Sequence, residues 1–364
     1  MWAAGIVLLV TASAFSLCLT LIVRGLAPRF DFLDHPRDRK AHRHAVPYGG
    51  GIALFLAVSV PLVAAAAVVL YCHAYGRPVW LSRGLYSAAA VHLPGAAGKL
   101  PQLGAVLVGG LVIFLLGIID DRRGLGPIPK LVVQLAVAVA LVAVGIRVTV
   151  FLKSELLGGV LTVVWIVVIT NAFNFMDNMD GLSAGVALIV SVIFLVVAVA
   201  SGQLFIAAAL LPFVGALVGF LPFNYAPASI FMGDAGSLFI GYFLAVLSVL
   251  FTFYSGPTTS FRPFALPLII FAVPLYDAVS VTLIRLHEGR SPLSGDRRHL
   301  SHRLVELGLT ERLAVAAIHL LTLGIGLSAV LLYLVSGRFG EVITIVQTVV
   351  LLSLVVVLER AIRS

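Results

Sequence analysis

The chain has 364 residues, of which 61% are hydrophobic and only 11% are charged, and its formal net charge is +8. Soluble domains carry about 25% charged residues, so this composition excludes a water-soluble globular protein, and its apolar content excludes intrinsic disorder. The two cysteines, Cys18 and Cys72, lie inside apolar runs, which excludes a disulfide framework and a thiolate metal site.

Apolar runs of roughly 20 residues, long enough to cross about 30 Å of hydrocarbon, recur along the whole chain. We therefore predict an all-α polytopic integral membrane protein with a single transmembrane domain over residues 1–364. The eleven predicted spans lie near 3–24, 49–72, 103–119, 131–148, 158–175, 184–201, 204–221, 237–254, 264–284, 312–335 and 341–358. No basic residue precedes the first run, so we interpret it as a helix rather than a cleaved signal peptide.

Charged residues are distributed unequally between the two sides of the membrane. Of the 24 Lys and Arg, 17 fall in one set of connections, and the positive-inside rule makes that set cytoplasmic, with the N-terminus outside and the C-terminus cytoplasmic. All ten Asp and all four Asn lie on or near the same side. A transporter usually also places ionisable groups near the bilayer midplane. The sequence therefore predicts an active site on the cytoplasmic face, in loops near 25–48, 120–130, 176–183, 222–236 and 285–312.

The third predicted span ends in two adjacent carboxylates, Asp120 and Asp121. Adjacent carboxylates repel each other unless a cation lies between them, and Mg²⁺ commonly binds one or two carboxylates together with phosphate oxygens. The alternative is a solvated loop in which Arg122, Arg123 or Lys130 pairs with the carboxylates. We favour the functional interpretation.

The fifth predicted span ends in amides at Asn171, Asn174 and Asn178. Their i, i+3, i+7 spacing places them on one helix face, and burying three amides in a membrane helix is costly unless they bind something polar. Asp177 and Asp180 follow on the same segment. Asp180 alternatively serves as the N-cap of the next helix, but that role does not explain the amides.

The eighth predicted span opens with an acid flanked by glycines, Gly233-Asp234-Ala-Gly236. Glycines let a ligand approach the backbone, and a helix N-terminus favours anions, although Asp234 alone could be an N-cap. Two basic loops, near 31–51 and 285–312, could either anchor to lipid headgroups or hold phosphates. For Asp277, two turns before Arg285, a structural ion pair and a site role are equally compatible with the sequence.

Five segments together resemble the polyprenyl-phosphate N-acetylhexosamine-1-phosphate transferase family, glycosyltransferase family 4, over about residues 30 to 310. In chain order they are Asp34-x-Pro36-x-x-Arg39-Lys40-x-His42-x-x-x-x-Pro47-x-Gly49-Gly50, Asp120-Asp121, Asn171-x-x-Asn174-x-x-Asp177-x-x-Asp180-Gly181, Gly233-Asp234-x-Gly236-Ser237 and His299-Leu300-Ser301-His302-Arg303-Leu304. The resemblance implies transfer of a sugar-1-phosphate from a UDP-sugar to a membrane polyprenyl phosphate, with release of UMP. It also implies dependence on Mg²⁺, with Mn²⁺ as a substitute.

Within the family, the loop Arg39-Lys40-x-His42 and the histidine segment resemble the undecaprenyl-phosphate GlcNAc-1-phosphate transferase branch. That branch starts O-antigen, enterobacterial common antigen or teichoic acid. The peptidoglycan branch, which transfers phospho-MurNAc-pentapeptide, has three consecutive His where this chain has Ser301-His302-Arg303, and members of the favoured branch often carry His at Ser301. An alternative of another class is a transporter of an anionic lipid or nucleotide.

The resemblance implies a role for each matching residue. Asp120, Asp121 and Asp234 would hold the metal and the lipid phosphate, and Phe231 would stack on uracil. The predicted catalytic residues are Asp120, Asp121, His299 and His302, and the predicted substrate-binding residues are Lys40, His42, Lys130, Asn171, Asn174, Asp177, Asp180, Phe231 and Arg303. The expected partners are a UDP-N-acetylhexosamine, polyprenyl (undecaprenyl) phosphate and the bilayer of the inner membrane. We expect no nucleic acid partner, and a homodimer is one option for the assembly.

Overall fold

The computed structural model describes residues 2–34, 45–148, 154–251, 262–291, 298–334 and 338–361. Within these ranges the only sheet is a two-residue hairpin, in which β1 (Leu33–Asp34) pairs antiparallel with β2 (Val46–Pro47). The all-α class predicted from the sequence is therefore confirmed.

Fourteen α-helices and one 3₁₀ turn, Ala27–Phe30, make up the rest of the described architecture. The helices are α1 (Trp2–Leu26), α2 (Gly50–Tyr75), α3 (Arg83–Ala90), α4 (Leu93–Arg123), α5 (Pro127–Ala143), α6 (Glu155–Met176), α7 (Leu182–Ala200), α8 (Leu204–Asn224), α9 (Gly233–Leu250), α10 (Arg262–Ile270), α11 (Ala272–His287), α12 (Leu300–Glu306), α13 (Glu311–Leu334) and α14 (Arg338–Ala361).

Nine of the described helices are long and apolar enough to cross a membrane: α1, α2, α4, α6, α7, α8, α9, α13 and α14. The predicted run 131–148 corresponds to α5, an apolar helix of 17 residues. The run 264–284 corresponds to α10 and α11, which are separated at Phe271. Each of the eleven predicted runs thus contains a helix within the described residues, although the run 131–148 continues five residues past the end of α5. The number of spans and their orientation remain predictions.

The start of the third predicted span is wrong. The sequence places a loop over residues 73–102, but α3 lies within it and α4 begins at Leu93, ten residues before the predicted span. The 31 residues of α4 correspond to a length of about 46 Å. Hydropathy marks only the part of a helix that is suited to hydrocarbon, so a helix that continues beyond that part is longer than its apolar run.

Helix α9 forms the centre of the protein. Residues on all its sides are buried, including Phe239, Tyr242 and Phe243, as expected of a helix that is apolar all round. It packs against α2, α4 and α6. A Cβ atom at Gly51 of α2 would collide with the α9 backbone at Ala235 and Gly236, and one at Gly117 of α4 would collide with it at Asp234 and Ala235. These glycines let the three helices approach closely, and they bring the start of α9 against the end of α4.

Candidate active site

Three helix ends bring the predicted acidic and amide residues together. Asp120 and Asp121 lie in the last turn of α4, Asn174 lies in the last turn of α6, and Asp234 lies in the first turn of α9. The Asn174 amide donates to Asp234 Oδ1 at 3.0 Å and to Ser237 Oγ at 2.9 Å. Segments that are far apart in the sequence therefore form one polar cluster.

Lys130, in the first turn of α5, bridges two carboxylates of this cluster. Its ammonium donates to Asp120 Oδ2 at 2.6 Å and to Asp234 Oδ2 at 2.9 Å. The other oxygen of Asp120 accepts the backbone N–H of Leu125 at 2.5 Å. The pairing of Lys130 with Asp120, one of the alternatives left open by the sequence, is thus present, and it draws in Asp234 as well.

Asp121 holds the start of α9 from outside that helix. Its Oδ1 accepts the backbone N–H of Asp234 at 2.7 Å, and its Oδ2 accepts that of Ala235 at 3.1 Å. A carboxylate in this position satisfies unpaired helix donors and opposes the helix dipole. Asp121 therefore fixes the backbone that carries Asp234, and each of its oxygens keeps a further lone pair for another ligand.

The turn after α6 contains one carboxylate with a partner and one without. Asp180 Oδ2 accepts the backbone N–H of Ala228 at 2.8 Å, which ties this turn to the 225–232 loop between α8 and α9. The half-buried Asp177 carboxylate makes no hydrogen bond or ion pair with any described residue. Burial, and then the charges of Asp234, Asp121 and Asp180, raise the pKa of Asp177 well above its usual range.

The N-cap role considered for Asp180 is wrong. The N-cap of α7 is Gly181, whose φ of 72° lies in the left-handed region that glycine adopts without strain. Asp180 is therefore free of that role and uses its carboxylate for the loop contact instead.

The three amides have different partners, and the prediction that all three share one helix face is wrong for Asn178, because α6 ends at Met176 and Asn178 lies in the turn that follows. Asn171 donates to Gln134 Oε1 at 2.5 Å, and Gln134 is only 1% exposed, so this amide serves the α5–α6 contact. Asn178 donates to the carbonyl of Phe175 at 2.7 Å and accepts from Ser301 Oγ at 2.6 Å. Among the described residues, Asn174 is the one of these three amides that contacts the carboxylates.

The loop before α9 is built onto the start of α2. The N–H of Phe231 donates to the carbonyl of Pro47 at 2.8 Å, and the carbonyl of Phe231 accepts from the N–H of Gly50 at 3.0 Å. The half-buried Phe231 ring lies 6.1 Å from the Tyr48 ring, at a tilt of 58°. This arrangement holds the predicted uracil-stacking ring in place at the edge of the cluster.

Tyr48 is a residue that the sequence analysis missed. Its phenol lies near the carboxylate cluster. Burial, followed by the charges of Asp34, Asp121 and Asp234, raises the pKa of Tyr48 above its ordinary value, so the phenol stays neutral. The available signal was its place in Pro47-x-Gly49-Gly50, where only the flanking residues were considered.

The histidine segment is anchored to α11 by Asp277. Asp277 Oδ1 accepts the backbone N–H of Leu300 at 2.6 Å, and its Oδ2 lies 2.8 Å from His299 Nδ1. Within the described residues Asp277 does not pair with Arg285, which lies over the ring of Phe175 at 5.9 Å. The ion-pair alternative for Asp277 and Arg285 is therefore wrong.

Arg303 and His302 complete the described part of this segment. Arg303 is 4% exposed, and its guanidinium donates to Ser280 Oγ at 2.8 Å and lies over the ring of Tyr276. These contacts anchor α12 to α11. His302 is half-buried in the first turn of α12. Lys40 and His42, both predicted to bind substrate, lie outside the described residues.

The donor set of the cluster suits a hard cation. In the described part of the chain, no three His, Cys, Asp or Glu side chains converge as a site made by protein alone would require. Mg²⁺ usually takes only one or two carboxylates and completes its shell with water and substrate phosphates. The oxygens of Asp120, Asp234 and Asn174 are of the kind that Mg²⁺ prefers, so these residues fit the ion.

Comparison with known proteins places the chain in a family. Residues 103–252, which run from within α4 past the end of α9 and contain all the clustered carboxylates, match the family model described as "Glycosyl transferase family 4". A Bacillus subtilis (strain 168) protein named "Probable undecaprenyl-phosphate N-acetylglucosaminyl 1-phosphate transferase" is 34% identical over 325 residues, covering 87% of this chain and 81% of the relative. The chain belongs to glycosyl transferase family 4.

Two further relatives of this family 4 member have names of the same kind. The "Decaprenyl-phosphate N-acetylglucosaminephosphotransferase" of Mycolicibacterium smegmatis is 35% identical over 342 residues, covering 85% of this chain and 77% of that protein. The "Undecaprenyl-phosphate alpha-N-acetylglucosaminyl 1-phosphate transferase" of Yersinia pestis is 28% identical over 359 residues, covering 93% and 85%. The resemblance found from the five motifs is thereby confirmed.

Proposed function

We propose that this membrane protein transfers GlcNAc-1-phosphate from UDP-GlcNAc to a polyprenyl phosphate, releases UMP and so starts a cell-envelope glycan. The observation that carries the proposal is the cluster in which Lys130 bridges Asp120 and Asp234 while Asn174 holds Asp234. Relatives over most of the chain carry the names of polyprenyl-phosphate GlcNAc-1-phosphate transferases. The cytoplasmic face of the inner membrane is the proposed location of this cluster.

The reaction needs anions to approach one another. An oxygen of the lipid phosphate attacks the β-phosphorus of the UDP-sugar and forms a new P–O bond. The bond from that phosphorus to the bridging oxygen breaks, and UMP leaves with the electron pair. Phosphoryl transfer depends mainly on positioning and charge stabilisation, and Lys130 places a positive charge within the cluster. A bound Mg²⁺, held by Asp120 and Asp234, would supply further charge neutralisation at the pyrophosphate.

We assign Asp120 a positioning role rather than that of a general base. A phosphate monoester has a second pKa of about 6, so the acceptor is already mostly a dianion at pH 7.5. Both Asp120 oxygens accept hydrogen bonds, from Lys130 and from the backbone of Leu125. Asp120 therefore orients Lys130, and the lipid phosphate attacks directly in a single step.

The nucleotide-sugar is assigned to the side of the cluster formed by the turn after α6 and the 225–232 loop. Asp180 joins these two segments, and Phe231 offers a half-buried ring held beside Tyr48. The Asp177 carboxylate makes no hydrogen bond with a described residue. An aromatic ring with one accessible face suits the stacking of a base.

The decisive experiment is an assay of the purified protein in lipid nanodiscs with undecaprenyl phosphate. UDP-GlcNAc, UDP-GalNAc and UDP-MurNAc-pentapeptide are compared, and UMP release and lipid-linked product are measured together, with and without EDTA. We expect UDP-GlcNAc to give both products, EDTA to abolish them and added Mg²⁺ to restore them. Asp234→Asn is the inactive control. Turnover of UDP-MurNAc-pentapeptide alone would move the protein to the peptidoglycan branch, and full activity in EDTA would exclude the metal.

A further inference from the structure

Asp277 and His299 form a buried pair outside the carboxylate cluster. Asp277 is 2% exposed and His299 is 5% exposed, and Asp277 Oδ2 lies 2.8 Å from His299 Nδ1. The second oxygen of Asp277 accepts the backbone N–H of Leu300. A carboxylate can only accept hydrogen bonds, so the proton of this contact resides on Nδ1 of the imidazole.

This contact leaves the other ring nitrogen for a ligand. His299 Nε2 makes no hydrogen bond within the described residues. Since this atom is not one of the fully buried side-chain atoms that lack a partner, it keeps some exposure. A histidine whose Nδ1–H is held by a carboxylate has a fixed tautomer and a fixed ring orientation. The accessible atom of this buried residue is therefore Nε2.

The pair lies beside the segment that carries the site. The His299 ring is 5.9 Å from the ring of Phe175, which follows Asn174 directly on α6. Ser301, two residues after His299, makes a second contact with the same region, since its hydroxyl donates to Asn178 Oδ1 at 2.6 Å. The imidazole is thus fixed against the end of the helix whose Asn174 binds Asp234.

We infer that Asp277 is a positioning residue that holds the Nδ1–H tautomer of His299 and thereby presents Nε2 to the phosphates of the substrate. This inference rests on the proposed function, whose substrates carry those phosphates, and on the catalytic role that the family resemblance implies for His299. Asp277 itself touches no substrate. A phosphate that binds at Nε2 needs a proton on that nitrogen, which solvent supplies because the acceptor is already mostly a dianion. The same carboxylate then offsets the positive charge of the ring.

Asp277→Asn separates tautomer control from the anchoring of α12. The asparagine Oδ1 still accepts from the N–H of Leu300, while its NH₂ group donates to His299 Nδ1 and drives the proton to Nε2. We expect kcat to fall at least about 10²-fold, as a wrong tautomer does in a comparable histidine–carboxylate pair. In a His299→Ala background the same substitution should change kcat by less than about 2-fold, because the two residues act as one unit.

Ser280→Ala is the matched control. It removes a different side-chain contact between α11 and α12, the bond from Arg303 to Ser280, and leaves His299 untouched. Its effect should be the same in the wild-type and His299→Ala backgrounds. If Asp277→Asn instead lowers activity equally in both backgrounds, Asp277 only supports the fold of α12 and the inference is overturned.

The tautomer of His299 can be measured by NMR, independently of transferase activity. Histidine labelled with ¹³C and ¹⁵N in nanodisc-embedded protein reports the protonated nitrogen of each ring, and the signal lost in His299→Ala identifies His299. We expect the Nδ1–H form in the wild type and the Nε2–H form in Asp277→Asn. An Nε2–H tautomer in the wild type would refute the pair even if GlcNAc-1-phosphate transfer is confirmed. A wild type that is inactive on every UDP-sugar would instead refute the proposed function and leave the tautomer result standing.

Discussion

Replacing Lys130 by methionine removes the ammonium that bridges Asp120 and Asp234, at 2.6 and 2.9 Å. A hydrogen bond to a charged group contributes about 1.5–3 kcal/mol. The Asp120 side chain is 6% exposed and the Asp234 side chain is 30% exposed, so solvent weakens the second contact more than the first. We therefore expect Lys130→Met to lower the free energy of unfolding by about 2–3 kcal/mol. A loss of similar size in the transition state lowers kcat about 10²-fold.

The two effects are measured by thermal unfolding in detergent and by UMP release in nanodiscs. The matched control is Arg147→Gln, which breaks an ion pair of the same 2.6 Å length whose Glu155 side chain is 77% exposed. Exposed ion pairs contribute about 0–1 kcal/mol, so this variant should keep its stability and its activity. Because Lys130 competes with a metal for the same carboxylates, Lys130→Met should also reach half-maximal activity at a lower Mg²⁺ concentration. Wild-type kcat in Lys130→Met would refute the role given to the bridging ammonium.

Three further predictions follow from other parts of the site. Asp120→Asn should remain inactive from about pH 6 to 8.5, since the acceptor phosphate ionises near 6 without help; recovery to near wild-type rates at high pH would identify Asp120 as a base. Folding raises the pKa of Asp177, so its ionisation above about pH 4 opposes folding. Asp177→Asn should therefore raise the Tm in EDTA, and the increase should grow as pH rises from about 4 through the folded pKa. Transfer activity should fall in the same variant. A Tm equal to that of the wild type at all pH values would contradict this prediction. The last prediction tests the orientation with single cysteines in a cysteine-free background. Arg123→Cys should react with an impermeant thiol reagent only after cells are opened, whereas Val79→Cys, at a site 94% exposed, should react in intact cells. The reverse pattern would overturn the predicted orientation.

The sequence by itself determined the class of the protein and most of the candidate site. Hydropathy is a local property, so the apolar runs marked the helices even where α5 is short and where Phe271 separates α10 from α11. The motifs around Asp120 and Asp234 identified the residues that the tertiary structure then brings together. Such motifs identify site residues because phosphoryl transfer requires particular side chains at particular positions in the chain.

Only the tertiary structure decided which partner each of these side chains has. Asn171 and Asn174 share one helix face, yet the first meets Gln134 of α5 and the second meets Asp234 of α9. Successive turns of α6 face different neighbouring helices, and the spacing of residues along α6 does not reveal which helix each turn faces.

The same limit applies to the acidic residues. Asp120 and Asp121 are adjacent in the chain, but one binds Lys130 and the other caps the start of α9. Asp277 was as compatible with Arg285 as with a site role until the packing of α12 on α11 placed His299 against it. These contacts join segments that are distant in sequence, and the packing of the helices around the small residues of α9, rather than any local pattern, brings such segments within hydrogen-bonding distance.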